Sequence, residues 1–236
     1  MRRLVLMLVC TLGVSLSLHG QAGAAGTLWA GTATIERVSQ VTPGRASAAP
    51  QPVLRPFTFP VYLLVYDAGD GGDDGDGGEA AHLLRELVLL PGPAGPELLV
   101  SREAIAAGVA AARPSDLRSG IRHTSAAFSF DAPSIPLSGA LALDGALSGA
   151  VTLRAGDRVN PFVHAAHPHH TRAEKHDRAV TRAIMLTPGR IDATGGVLTG
   201  RYEERLTGLT AREITVEGRV TLERIWQGDR VSGLAP

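Results

Sequence analysis

Residues 214–225 have the sequence Ile-Thr-Val-Glu-Gly-Arg-Val-Thr-Leu-Glu-Arg-Ile, which carries the clearest structural signal in the chain. The even positions from Ile214 to Leu222 are apolar except for Gly218, and polar side chains stand between them. Successive side chains of a β-strand point to opposite faces of its sheet, so this alternation predicts a strand with one buried and one solvated face. Half-buried strands are typical of antiparallel sheets.

Other short runs of alternating or β-rich residues recur along the chain, and most are bounded by Gly, Pro, Asp or Ser. They cover residues 28–38, 57–66, 82–90, 97–100, 126–130, 137–143, 146–153, 179–186 and 195–204. Many short strands separated by turns favour a sandwich or barrel over alternating β-α units. We therefore expect an all-β fold, mainly an antiparallel sandwich or barrel.

The first and last strand-like segments resemble each other. Residues 31–38 (Gly-Thr-Ala-Thr-Ile-Glu-Arg-Val) and 218–225 (Gly-Arg-Val-Thr-Leu-Glu-Arg-Ile) both begin with Gly and end in apolar-Glu-Arg-apolar. One interpretation is that these two strands are neighbours, so that the ends of the chain close the sheet. The alternative is chance similarity between two half-exposed strands.

One short helix is expected around residues 101–112. Ser101 can cap it, Glu103 lies near its positive N-terminal end, and Pro114 follows its end. Gly108 inside this segment costs about 1 kcal/mol relative to alanine, which favours a short helix. Residues 37–56 and 90–96 are rich in Pro, Gly and Ala and are predicted to be loops.

The N-terminus has the pattern of a cleavable export signal. Arg2 and Arg3 precede an apolar run over residues 4–18, and small residues follow at 22–25. The run is shorter than the ~20 residues that a membrane-spanning helix needs. We expect a signal peptide over residues 1–25, an extracytoplasmic (secreted or periplasmic) location, and no integral membrane segment after cleavage.

The remaining residues, 26–236, are predicted to form a single β-rich domain. Cleavage removes the only cysteine, Cys10, so stability must come from a packed core. The chain has 23 basic and 23 acidic side chains. Because nucleic-acid binding needs a basic face, we expect no nucleic-acid partner.

A flexible acidic loop of Gly and Asp is expected at residues 67–79. Carboxylates on a glycine-rich backbone suit calcium, which takes oxygen ligands with loose geometry. The spacing nevertheless fits neither an EF-hand loop nor the nonapeptide calcium repeats. A solvated hairpin tip is the favoured interpretation.

A histidine cluster is the sharpest compositional signal. Five of the eight histidines lie between His164 and His176, and His164, His167 and His170 recur at a three-residue spacing. Neutral imidazole binds zinc, copper, nickel or iron, so these three are candidate ligands of a transition metal ion such as zinc. Candidates for a further ligand, or for a partner that orients a ring, are His169, His176, Asp157, Asp177 and Glu203.

The histidine segment resembles a pattern in a set of uncharacterised secreted bacterial proteins, Asn-Pro-Phe/Tyr-x-His-x-x-His-Pro-Asp-His. Here it is carried by residues 160–170, with weaker likeness at 83–86, 126–128, 200–204 and 208–209, and so spans most of the mature chain. His169 stands where the pattern has aspartate, so this chain lacks an acidic ligand or orienting carboxylate at that position. The resemblance implies a common fold and a retained segment, and no activity.

Three functions stay open at this point. The first is a non-enzymatic extracytoplasmic β-domain that binds a metal through His164, His167 and His170. The second is a metal-dependent hydrolase, with Glu203 or Glu204 as the general base and a metal-bound water as the nucleophile. The third is a structural or interaction module of the cell envelope, in which the histidines pack an irregular connection; its protein or small-molecule partner is unknown.

Overall fold

The computed structural model describes residues 26–41, 49–67, 79–92, 95–124, 134–154, 179–192, 194–229 and 231–233. Twelve strands and two helices lie in this part of the chain. The strands are β1 (Gly26–Val41), β2 (Gln51–Asp67), β3 (Glu79–Leu84), β4 (Glu86–Gly92), β5 (Gly95–Leu99), β6 (Ile121–Thr124), β7 (Ser134–Gly139), β8 (Leu147–Leu153), β9 (Val180–Ile191), β10 (Val197–Thr207), β11 (Glu213–Gly228) and β12 (Val231–Ser232). The helices are α1 (Arg102–Ala111) and α2 (Pro114–Ser119).

Eight strands form a closed antiparallel barrel in the order β1-β11-β10-β9-β8-β7-β3-β2. Their inward faces supply one continuous apolar core, which includes Phe59 and Leu63 of β2 and Val220 and Leu222 of β11. In β11 the side chains alternate from buried at Val220 to exposed at Thr221 and buried again at Leu222. The expected all-β fold is confirmed, and of the two architectures expected the barrel is the one formed.

The two similar segments are neighbours, as one interpretation of the sequence proposed. Strands β1 and β11 pair antiparallel, with Gly31 opposite Leu222, Ala33 opposite Val220 and Ile35 opposite Gly218. The register places the glycine of each segment opposite an apolar residue of the other. The first and last long strands therefore close the barrel and remove the two edges that an open sheet would expose.

We call the contact between β1 and β11 the seam. Its glycines, Gly31 and Gly218, are required because the two backbones approach each other closely. A Cβ on Gly31 would overlap the carbonyl oxygen of Thr221, and a Cβ on Gly218 would overlap that of Thr34. Any side chain at these positions would push β1 and β11 apart. The shared sequence pattern thus has a physical cause, because each strand supplies the glycine that lets its partner approach.

A second sheet, in the order β12-β5-β4-β6, covers the outside of the barrel. Outward-facing residues of the barrel, Leu28, Leu64 and Trp226, pack with Leu87 and Leu98 of this sheet in a separate apolar cluster. The opposite side of the small sheet is covered by α1. The barrel, the small sheet and the helix therefore form three successive layers.

The predicted helix is confirmed as α1. The backbone N–H of Ala104 donates to the Ser101 hydroxyl at 3.0 Å, which is the expected N-terminal cap. Gly108 faces Leu99, and a Cβ at this position would overlap the leucine side chain. The glycine that weakens the helix therefore lets it lie close to the small sheet. The second short helix, α2, was not expected.

Several predicted boundaries are wrong. The loop expected at 37–56 is shorter, because β1 continues to Val41 and β2 begins at Gln51; the loop expected at 90–96 is mostly strand in β4 and β5. The single strand expected at 82–90 is two strands that separate at Arg85 and belong to different sheets. The strand expected at 126–130 lies outside the described residues.

The acidic segment joins two neighbouring strands. Strands β2 and β3 pair antiparallel up to Asp67 opposite Glu79, as the hairpin interpretation requires. Residues 68–78 lie outside the described residues. Within the described ranges, neither helix has the length and apolar character needed to cross a membrane.

Replacing either seam glycine should destabilise the protein. We expect Gly31→Ala and Gly218→Ala each to lower the free energy of unfolding by about 2–3 kcal/mol, because the added methyl group forces the two backbones apart. Gly189→Ala is the matched control, since its Cβ would lie 3.5 Å from the nearest atom, an ordinary contact. Urea unfolding followed by circular dichroism measures all three; equal stability of the three variants would contradict the seam model.

Candidate functional site

Along the sequence, all the predicted metal ligands except Glu203 lie between strands β8 and β9. His164, His167, His170, His169, His176, Asp157 and Asp177 lie outside the described residues, whereas Glu203 is described. Strand β8 ends at Leu153, β9 begins at Val180, and these two residues are direct antiparallel partners. Both ends of the histidine segment are thus attached to one end of the barrel.

The same end of the barrel carries the turn between β10 and β11. Thr181 of β9 pairs with Thr207 at the end of β10. Gly208 follows with a φ of 87°, and a Cβ at that position would overlap the carbonyl oxygen of Ala179. This glycine has both a left-handed backbone and a close neighbour, so the turn and the start of β9 are held tightly together. We call this end of the barrel the β8–β9 rim.

A buried ionic cluster lies just inside the β8–β9 rim. The Nε of Arg182 on β9 donates to Oε1 of Glu204 on β10 at 2.5 Å, and the hydroxyl of Tyr202 donates to Oε2 of the same carboxylate at 2.8 Å. Arg182 is 2% exposed, Glu204 4% and Tyr202 1%. The ring of Phe59 meets Tyr202 edge to face, with ring centroids 5.4 Å apart.

The electrostatics of this cluster follow from its burial. Desolvation, followed by the negative charge of Glu204, raises the pKa of Tyr202 well above its ordinary value, so the phenol stays protonated and keeps donating. A buried charge is tolerated when it is paired and hydrogen-bonded, and here both carboxylate oxygens have a donor. Such clusters occur at functional sites and also as structural ion pairs.

The sequence analysis missed this cluster, although a signal was present. In β9 the inward positions run Val180, Arg182, Ile184 and Leu186, so one charged residue stands in an otherwise apolar series. Glu204 interrupts the inward series of β10 in the same way. A charged residue at a buried strand position requires a partner, and the two interruptions lie on neighbouring strands.

Glu203, the described candidate ligand, points to the opposite side of β10 from Glu204, because adjacent strand residues face opposite ways. Its Oε2 lies 3.3 Å from Nη2 of Arg201 on the outer wall of the barrel. The structure therefore does not bring the two glutamates together. A hydrolase using either as its base would need to release it from an ion pair.

A second polar cluster links three barrel strands near the small sheet. His82 of β3 places Nδ1 2.9 Å from the Ser134 hydroxyl and Nε2 3.3 Å from the Tyr66 hydroxyl. Burial lowers the pKa of His82 below its ordinary value, because the charged imidazolium loses hydration. The imidazole is therefore held in its neutral form, with one donor and one acceptor nitrogen for the two hydroxyl groups.

Comparison with known proteins adds no assignment: no protein-family model matches the chain, and no curated protein matches it. Among the residues that the structure describes, no group of three or more His, Cys, Asp or Glu side chains could hold a metal ion. The fold itself defines the class, a closed eight-stranded antiparallel barrel with a small covering sheet.

Removing the buried carboxylate should lower the free energy of unfolding far more than removing an exposed one. We expect Glu204→Gln to lower the free energy of unfolding by about 3–5 kcal/mol, because Arg182 loses the charge that compensates its desolvation. Glu213→Gln is the control: its partner Arg205 lies 3.1 Å away but is 55% exposed, so the loss should stay below about 1 kcal/mol. Chemical denaturation of both variants measures the difference; a loss below about 1 kcal/mol for Glu204→Gln would contradict a buried ion pair.

His82 should make the fold sensitive to mild acid. Its folded pKa is lower than the unfolded value of about 6.5, so the unfolded chain binds the proton more tightly. The stability linked to His82 is therefore present above pH 6.5 and is lost as pH falls through that value towards the folded pKa. Thermal unfolding between about pH 5 and pH 8 should show a shallower decline in His82→Gln than in the unsubstituted protein. Identical pH profiles would contradict the burial of His82.

Proposed function

We propose that the protein is an extracytoplasmic metal-binding protein, exported by residues 1–25, which holds a transition metal ion such as zinc through His164, His167 and His170. The length of the connection between β8 and β9 is the observation that supports this proposal. Two antiparallel neighbours need a connection of only about two to five residues, yet residues 154–179 stand between Leu153 and its partner Val180. Connections longer than about 15 residues are uncommon in compact domains and are usually either functional or linker segments, and the histidines of this one favour a function.

The barrel supports this role by fixing where the segment begins and ends. Leu153 and Val180 are both buried, at 3% and 2% exposure, and belong to the core of the barrel. Binding residues are often carried on connections that a rigid scaffold holds in place. The three imidazoles and any further ligand from His169, His176, Asp157, Asp177 or Glu203 would then be presented at the β8–β9 rim.

The environment of the two glutamates favours binding over hydrolysis. A metal-dependent hydrolase needs a base that can reach a metal-bound water. Glu204 is buried against Arg182 and Tyr202, and Glu203 is paired with Arg201 on the outer wall. The balanced charge of the chain favours no nucleic-acid partner.

Metal content tests the proposal directly. The mature protein, purified without a histidine tag, should contain close to one equivalent of metal by plasma mass spectrometry. His164→Ala/His167→Ala should contain almost none, because one remaining imidazole of the three cannot hold the ion. His123→Ala is the control, since His123 lies on β6 in the small sheet, and it should keep the metal of the unsubstituted protein.

Circular dichroism of the same samples distinguishes loss of the site from loss of the fold. We expect the double variant to retain the β-sheet spectrum. A metal-free unsubstituted protein that stays folded after incubation with zinc, copper or nickel would overturn the proposal. That outcome would favour an interaction module of the cell envelope.

A further inference from the structure

An open cleft of about 570 Å³ lies on the outer wall of the barrel, where β9, β10, β11 and β1 run side by side. It owes its shape to two β-bulges. Glu36 is an extra residue in β1, between Ile35 and Arg37, and Gly189 is an extra residue in β9 opposite Thr199 and Gly200. Bulges bend their strands and redirect side chains, and they recur next to binding sites.

Like charges stand directly opposite each other in this cleft. Arg201 of β10 is the antiparallel partner of Arg219 of β11, and Thr187 of β9 is the partner of Arg201. Three neighbouring strands thus present a row of one hydroxyl and two guanidinium groups. Like charges at directly opposite positions destabilise a sheet. Arg201 and Arg219 would therefore repel each other if they had no carboxylate partners.

Three carboxylates pair with these two guanidinium groups, and Nε of Arg219 also donates to Glu36 at 2.7 Å. Nη2 of Arg201 lies 3.2 Å from Glu217 and 3.3 Å from Glu203, and Nη2 of Arg219 lies 2.6 Å from Glu36. Each guanidinium has five N–H donors, so most donors remain available for a ligand. Arg201 and Arg219 are 55% and 77% exposed, so a ligand from solvent can reach them.

A third arginine adds to the positive charge. Arg37 of β1 is the partner of Glu217 and is exposed at the edge of the cleft. Within the described ranges, its side chain makes no hydrogen bond or ion pair that the structure records. The cleft is lined by three arginines and by Glu36 and Glu217, and Glu203 beside it also pairs with Arg201, so the three arginines face three carboxylates. Its lining residues include no aromatic ring on which a neutral sugar could stack.

We propose that this cleft binds a small ligand bearing carboxylate or phosphate groups, whose oxyanion is held between Arg201 and Arg219. Guanidinium groups bind such oxyanions through paired, charge-assisted hydrogen bonds. The Thr187 hydroxyl extends the same row of donors, and Arg37 supplies a second contact for a ligand with more than one anionic group. A bound oxyanion would add a further negative charge between the two guanidinium groups.

The test is a titration of the mature protein with inorganic phosphate and, separately, with citrate, followed by two-dimensional ¹H–¹⁵N NMR. We expect saturable shifts of the backbone amides of Thr187, Arg201 and Arg219 with at least one of the two anions. Affinity should fall as sodium chloride is raised, because exposed charges are screened. The anion that binds more tightly identifies whether the cleft favours phosphate or carboxylate.

Variants establish whether the arginines are responsible. Arg201→Gln/Arg219→Gln should weaken binding by about tenfold or more. Arg37→Gln should weaken binding of citrate severalfold, and it removes no contact that the fold uses. Arg205→Gln is the control, because Arg205 pairs with Glu213 and does not line the cleft; its affinity should be unchanged. No saturable shift with either anion, or equal affinity in the unsubstituted protein and in both cleft variants, would overturn the proposal.

Discussion

The close contact between β1 and β11 is the constraint on which the other features depend. Gly31 and Gly218 let the two backbones meet, and Ala33 and Val220 pack together inside the closed wall. Closure turns a sheet that would have two exposed edges into a barrel with a continuous apolar core. It also places β1 beside β11, whose other neighbour is β10, so the cleft spans the contact between the first and last long strands.

Charge is placed on both sides of the same wall, with different consequences. Inside, Arg182 and Glu204 are desolvated, so their pairing is a condition for folding. Outside, Arg201 and Arg219 are exposed and paired with carboxylates, so they remain accessible to the anionic ligand proposed above. Successive residues of β10 contribute to both environments, because Glu203 faces outwards and Glu204 inwards. The period of two in a β-strand thus separates a stability element from a binding surface.

The sequence predicted the features that depend on local pattern. The alternation in residues 214–222 predicted β11, and Ser101 predicted the start of α1. The repeated Gly and apolar-Glu-Arg-apolar pattern gave the pairing of β11 with β1 as one of two interpretations. It did not predict that residues 82–90 divide between two sheets, since no Gly or Pro marks the break at Arg85. The ionic cluster and the cleft depend on strand order and register, which bring Arg182 to Glu204 and Arg201 to Arg219. The histidine ligands remain a prediction from composition and spacing.

A designed disulfide tests the closure of the barrel most directly. Thr32 and Thr221 are exposed antiparallel partners on β1 and β11, and Thr199 is the partner of Thr221 on β10. In a chain without Cys10, Thr32→Cys/Thr221→Cys should form an intramolecular disulfide under mild oxidation, because directly opposite residues lie within reach of the bond. Thr32→Cys/Thr199→Cys should not, because β11 lies between them. Mass spectrometry detects each disulfide. Absence of the Thr32–Thr221 cross-link in folded protein, or equal formation of the Thr32–Thr199 cross-link, would contradict a barrel closed by β1 and β11.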